Sequence, residues 1–103
     1  MSGPTRIRAS VKDGVTEVRM LMSHPMESGL RKGPSGERVP MHYIDEITVR
    51  HNERVVLAAS FGPSVSTNPY LAFSFAGGAP GDEITVSWRD TGGDSRSDST
   101  RIS

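Results

Sequence analysis

Apolar residues recur at every second position along most of the chain. "RIRASV" puts Ile7, Ala9 and Val11 on one face and Arg6, Arg8 and Ser10 on the other. "VTEVRMLM" turns Val18, Met20 and Met22 inward and Glu17 and Arg19 outward. "ERVVLAASF" offers Val55, Leu57, Ala59 and Phe61; "YLAFSFAG" offers Leu71, Phe73 and Phe75; "DEITVSWRD" offers Ile84, Val86 and Trp88. A half-buried strand requires this alternation, because successive side chains point to opposite faces of a sheet. "YIDEITVRH" is less regular. Ile44 falls out of phase with Ile47 and Val49, which predicts a bulge near Asp45. The expected core is Ile7, Val18, Met20, Val49, Leu57, Leu71, Phe73, Ile84, Val86 and Trp88.

Turn chemistry separates the runs. "KDG" (12–14) and "HNE" (51–53) read as tight hairpin turns, and "GGAPGD" (77–82) as a short loop fixed by Pro80 and Gly81. "TGGD" (91–94) leads into a last short polar strand whose end, "SRSDSTRIS", is expected to fray. No segment of ten or more residues carries a helical stripe. About seven short strands in 103 residues predict an all-β fold, an immunoglobulin-like antiparallel β-sandwich. The chain is read as one domain, 1–103, ordered over about 5–98 with a short flexible tail after 98.

One connection departs from this economy. From Ser23 to His42 no strand or helix pattern appears, and Pro25, Pro34, Pro40, Gly29, Gly33 and Gly36 punctuate the segment. Loops of that length in a compact domain are usually functional or disordered. A second long connection, "GPSVSTNP" (62–69), joins Phe61 to Tyr70. The first contains "SHPMESGLRK", which concentrates His24, Met26, Glu27, Arg31 and Lys32.

Composition removes several functions. Lys+Arg and Asp+Glu are 12 each, so no net field draws nucleic acid or an anionic membrane, and six aromatics without an interleaved basic run give no RNA-binding signature. No apolar stretch is long enough to span a bilayer. The start, "MSGPTRIRAS", has no apolar signal core, so the chain is expected to carry no export address of its own. Cysteine is absent, which excludes a disulfide, a thiolate nucleophile and a thiolate metal site.

Three chemistries compete for the long loop. Met22, His24 and Met26 could hold Cu(I), which favours thioethers and imidazole; that is the alternative of a periplasmic copper-binding sandwich. Against it, Met20 and Met22 share the inward phase of Val18, where methionine is a plastic core filler. The histidines His24, His42 and His51 lack the spacing of a zinc or iron site. A catalytic site would set His24 or Glu27 against a nucleophile, yet no nucleophile elbow and no phosphate loop is present. A docking role for His24, Met26, Glu27, Arg31 and Lys32 on an exposed loop is the third reading, since Met and Arg are enriched at interfaces.

The stretches "VRMLMSHPMESGLRK", "VPMHYIDEITVRHN", "VLAASFGPSVSTNPYLAFSF" and "GDEITVSWRDTGGDSRSD", with the blocks "LMSHPMESG", "FGPSVSTNP" and W-x-D-x-x-G-D (Trp88, Asp90, Gly93, Asp94) in that order, resemble the SoxZ family of the bacterial thiosulfate-oxidising (Sox) system over residues 5–98. The resemblance implies a non-catalytic subunit without cofactor or metal. It implies a heterodimer with SoxY, whose C-terminal cysteine arm carries covalent sulfur intermediates. It also implies transient contacts with a Sox cytochrome, a hydrolase and a sulfane dehydrogenase, a periplasmic location reached by co-export with SoxY, and self-association when SoxY is missing. The missing cysteine suits such a scaffold, because any nearby thiolate would strip a sulfur adduct by exchange. An iron enzyme of the superoxide-reductase type shares the immunoglobulin-like core, but needs four histidines and a cysteine; three histidines and no cysteine oppose it.

Overall fold

A computed structural model describes residues 3–103. The first two residues, part of the domain read as 1–103 and of the start expected to carry no export address, lie outside the described residues. Seven strands follow in order: β1 (Arg6–Lys12), β2 (Val15–Leu21), β3 (Ile44–His51), β4 (Arg54–Ser60), β5 (Tyr70–Ala76), β6 (Glu83–Asp90) and β7 (Ser95–Arg101). All pair antiparallel, in a three-stranded sheet β1-β2-β5 and a four-stranded sheet β4-β3-β6-β7. This is the immunoglobulin-like sandwich that the alternation predicts.

Local chemistry sets the register. Asp13 (φ 54°) and Gly14 (φ 76°) both take the left-handed conformation between β1 and β2, the requirement of a two-residue primed turn. The expected bulge is present: pairing with β6 shifts between Ile44 and Glu46, so Ile44 and Ile47 both face the core. A second shift, between Val49 and Arg50 on the β4 side, was not legible in the alternation. It makes Val56 the extra residue and places Val55 opposite Arg50 on the outer face, where it is 48% exposed. Val55 is therefore not inward as expected.

Val18, Met20, Met22, Ile44, Ile47, Val49, Ile84 and Val86 are at most 1% exposed, and Trp88 joins them. Burying each such side chain stabilises the fold by roughly 1.5–3 kcal/mol. Four expected core residues, Ile7, Leu57, Leu71 and Phe73, are only partly buried. The reason is position: β1, β4 and β5 are edge strands, so these side chains have a strand neighbour on one side only.

The two lateral seams of the sandwich differ. Between β1 and β7, Ser103 bonds to β1 through its N–H to the Ala9 carbonyl (3.0 Å) and its carbonyl to the Val11 N–H (3.2 Å). Inside that seam Arg96 donates to Asp98 (2.8 Å), which also accepts the Thr5 N–H (3.0 Å). The expected flexible tail after residue 98 is instead strand through Arg101, with Ile102 buried at 3%. Between β4 and β5, both edge strands, no backbone hydrogen bond is made among the described residues, and Leu57 on β4, Phe61 just after it, and Leu71, Phe73 and Phe75 on β5 are only partly buried against the core.

Candidate functional site

The long connection is a two-stranded finger. Glu27 and His42 exchange both backbone hydrogen bonds (2.6 and 2.9 Å), Val39 N–H donates to the Arg31 carbonyl (2.7 Å), and Lys32 bridges to Arg38. Pro34 supplies the turn, and Gly36 (φ 83°) closes it by donating to the Gly33 carbonyl (3.0 Å). Glu27 and Arg31 form a bidentate pair on its side, with Arg31 Nε 3.0 and 3.2 Å from the two carboxylate oxygens. That bond holds the Glu27 carboxyl below its ordinary pKa and raises that of Arg31. Arg31 and Lys32 are exposed.

The finger's root is buried and polar. The inward phase of β2 runs on past its end: Val18, Met20, Met22, His24 and Met26 are all buried. His24 is 2% exposed and Met26 5%, so the expectation that these two lie on an exposed loop is corrected. Alternation carries them into the core, and both are bonded there. Met26, held at φ 51°, donates its N–H to His24 Nδ1 (3.0 Å), and its sulfur accepts the Ile44 N–H (3.3 Å). His24 packs edge-on against Trp88 at 5.4 Å.

Asp90, at the end of β6, ties the root together. Its Oδ2 lies 3.0 Å from His24 Nε2 and 2.7 Å from His42 Nε2. Its Oδ1 accepts the Gly92 and Asp94 N–H groups, both at 2.9 Å. Burial pushes the Asp90 carboxyl up, but the bonds from His24, the Asp94 amide and His42 outweigh it and hold the carboxyl below its ordinary range. Gly92 permits the approach, since a Cβ there would lie 3.0 Å from the His42 ring. Asn68 adds the 62–69 connection: its side-chain oxygen accepts the His24 N–H (3.0 Å) and its own N–H bonds the His24 carbonyl (2.9 Å). The blocks LMSHPMESG, FGPSVSTNP and W-x-D-x-x-G-D thus meet in space.

The ligand atoms of His24, His42 and Asp90 lie within 4.8 Å of one another, a spacing that could hold a metal ion. Hydrogen-bond arithmetic argues against it. Because His24 Nδ1 accepts from Met26, the proton sits on Nε2 and donates to Asp90, so neither ring nitrogen is free to ligate. The copper set fares no better: Met22 is fully buried in the core and the Met26 sulfur is engaged. The cluster is a closed structural strut. Sequence reasoning singled out His24 but not its partners His42, Asp90 and Asn68. His51 is elsewhere, paired with Asp82 (2.7 Å) at the opposite end of β3.

The fold and this root define a cysteine-free immunoglobulin-like sandwich with a rigidly anchored finger. The family profile described as "Sulphur oxidation protein SoxZ" matches residues 5–101, and the chain belongs to that family. It has a role in the Sox sulfur-oxidation system. No curated protein shows significant similarity to its sequence. In structure it is similar to a superoxide reductase (neelaredoxin) from Ignicoccus hospitalis, with a TM-score of 0.65 at 15% identity, covering 98% of this chain and 80% of that one. At that identity the likeness is one of fold alone.

Proposed function

We propose that the chain is the non-catalytic scaffold of a sulfur carrier complex: it pairs with a SoxY-type subunit in the periplasm, and SoxY's cysteine arm carries the sulfur. The observation that carries this reading is the family match over nearly the whole chain, residues 5–101. Two features support it. The chain has no cysteine to capture the cargo. The β4–β5 seam offers a free strand edge beside Leu57, Phe61, Leu71, Phe73 and Phe75, and permanent interfaces are apolar and use such edges. SoxY is the occupant proposed for that seam, and co-export with SoxY the route to the periplasm. The Sox cytochrome, hydrolase and sulfane dehydrogenase then visit the complex transiently. In the finger, Glu27 neutralises Arg31, which leaves Lys32 as the exposed cation from the docking set His24, Met26, Glu27, Arg31 and Lys32. Light scattering tests the pairing. The chain alone should self-associate through the open seam, and an equimolar SoxY-type subunit should convert it to a discrete heterodimer. A chain that ignores SoxY at micromolar concentration refutes the reading.

A further inference from the structure

The outer face of the β1-β2-β5 sheet carries an uneven charge. Its outward positions are Arg6, Arg8, Ser10 and Lys12 on β1, Val15, Glu17, Arg19 and Leu21 on β2, and Tyr70, Ala72, Ser74 and Ala76 on β5. That is four cations against one carboxylate, on a chain whose charges balance at 12 and 12. The positive charge gathers at one end, where cross-strand register builds two rows: Arg6–Leu21–Tyr70 and Arg8–Arg19–Ala72. Leu21 is 40% exposed and Tyr70 59%, so an apolar centre is flanked by three guanidinium groups. The same end borders the finger, since Met22 continues β2 by bonding to the Pro69 carbonyl (2.9 Å).

The arrangement is not what folding alone favours. Arg8 stands directly opposite Arg19, and like charges directly opposite on an open sheet face destabilise it. Glu17 pairs with Arg19 at 2.8 Å, while Arg6 and Arg8 make no ion pair among the described residues. A second copy of the chain does not fit here, because a two-fold contact would set positive against positive. Nor does its chemistry suit a permanent subunit, because permanent interfaces are apolar at their centre and this face sets four cations among its twelve outward positions. The open apolar seam between β4 and β5 suits the permanent partner; this face suits a short-lived one.

We infer that Arg6, Arg8 and Arg19, around Leu21 and Tyr70, form a docking surface for an acidic, carboxylate-bearing face on an enzyme that visits the carrier complex. This rests on the proposed function and adds the surface and the partner's charge. Complementary charge at a small contact accelerates encounter and is screened by salt.

The test is the double variant Arg6→Glu/Arg8→Glu, in the complex with the SoxY-type subunit. Association with the Sox cytochrome, hydrolase and sulfane dehydrogenase is measured separately at low and high salt, together with thiosulfate-dependent cytochrome reduction. With at least one enzyme the on-rate should fall roughly tenfold at low salt, and the deficit should shrink at high salt. Arg6→Gln/Arg8→Gln, which removes charge without reversing it, should give a smaller fall of the same kind. Thermal stability should not drop, because a glutamate at position 8 faces Arg19. Unchanged on-rates with all three enzymes overturn the inference, as does a loss insensitive to salt. Loss of SoxY pairing also overturns it, by making this face the permanent seat. A wild-type complex that fails to form or turn over refutes the underlying function, a result distinct from any of these.

Discussion

Replacing Asp90 by asparagine tests the root of the finger. The amide of Asp90→Asn keeps an oxygen for the Gly92 and Asp94 N–H groups, but turns an NH2 toward His24 and His42 where the carboxylate accepted both. The His42 side chain is 39% exposed and can re-present a lone pair by changing tautomer. His24 cannot: to accept at Nε2 it must carry its proton on Nδ1, against the Met26 N–H 3.0 Å away. The charge-assisted bonds lost are worth about 1.5–3 kcal/mol, and a buried donor left facing a donor costs about 1–3 kcal/mol more. Together these come to about 2.5–6 kcal/mol. At about 4–8 °C per kcal/mol for a domain of this size, the melting midpoint should fall by at least about 10 °C. Circular dichroism against temperature and urea measures the loss. Asp94→Asn is the control: its backbone contributes the bond to Asp90, so its exposed side chain should matter by no more than about 0.5 kcal/mol. In ¹⁵N spectra the wild-type His24 ring should be protonated at Nε2 and bare at Nδ1. A D90N loss under about 1 kcal/mol, or a proton on Nδ1 alone, would refute the reasoning.

Three further outcomes follow from the same structure. Asp90 and Asp98 both have lowered folded-state pKa values, because burial, which raises each, is outweighed by the hydrogen bonds each accepts. A lowered carboxyl pKa gives stability that is complete above the unfolded value of about 3.9 and is lost as pH falls through the folded value. The melting midpoint should therefore drop below about pH 4, and the gap between wild type and D90N should narrow there; a constant gap from about pH 6 to about pH 2.5 would contradict this. Ile47→Ala should cost about 2–5 kcal/mol in urea unfolding, because Ile47 is 1% exposed and leaves a cavity. Phe73→Ala should cost less than that in the isolated chain, because Phe73 is only partly buried, and should weaken SoxY pairing, because it lies on β5, an edge strand of the proposed SoxY seat.

Much of the fold was legible because two-residue periodicity is a direct image of strand geometry. The bulge at Asp45 showed as a break in phase between Ile44 and Ile47. The bulge at Val49/Arg50 did not, because its extra residue, Val56, sits in an apolar run where a shift of phase leaves no polar mark. The site was less legible, although part of its signal was present. Val18, Met20 and Met22 point inward, and the same step reaches His24 and Met26. Ile84, Val86 and Trp88 do likewise, and the next step reaches Asp90. Reading Pro25 as the start of an irregular loop cut the first series short. The pairing of His24 with Asp90 across 66 residues, and of His42 with Asp90 across 48, is a product of sheet topology that no local pattern encodes. The unbonded seam, which ties the edge strands' partial exposure to a missing neighbour, likewise emerges only when both sheets are in place.

That long reach has a kinetic consequence. The hairpins β1–β2, β3–β4 and β6–β7 close through turns of a few residues, whereas the carboxylate of Asp90 must gather segments around positions 24 and 42, with Asn68 joined to it through His24. Closing such loops costs chain entropy before any bond repays it, so contacts of this kind form late. Bonds made after the transition state leave the folding rate nearly untouched and act on the rate of unfolding. The finger's root is therefore a latch in time: it sets how long a folded chain stays folded far more than how quickly it gets there.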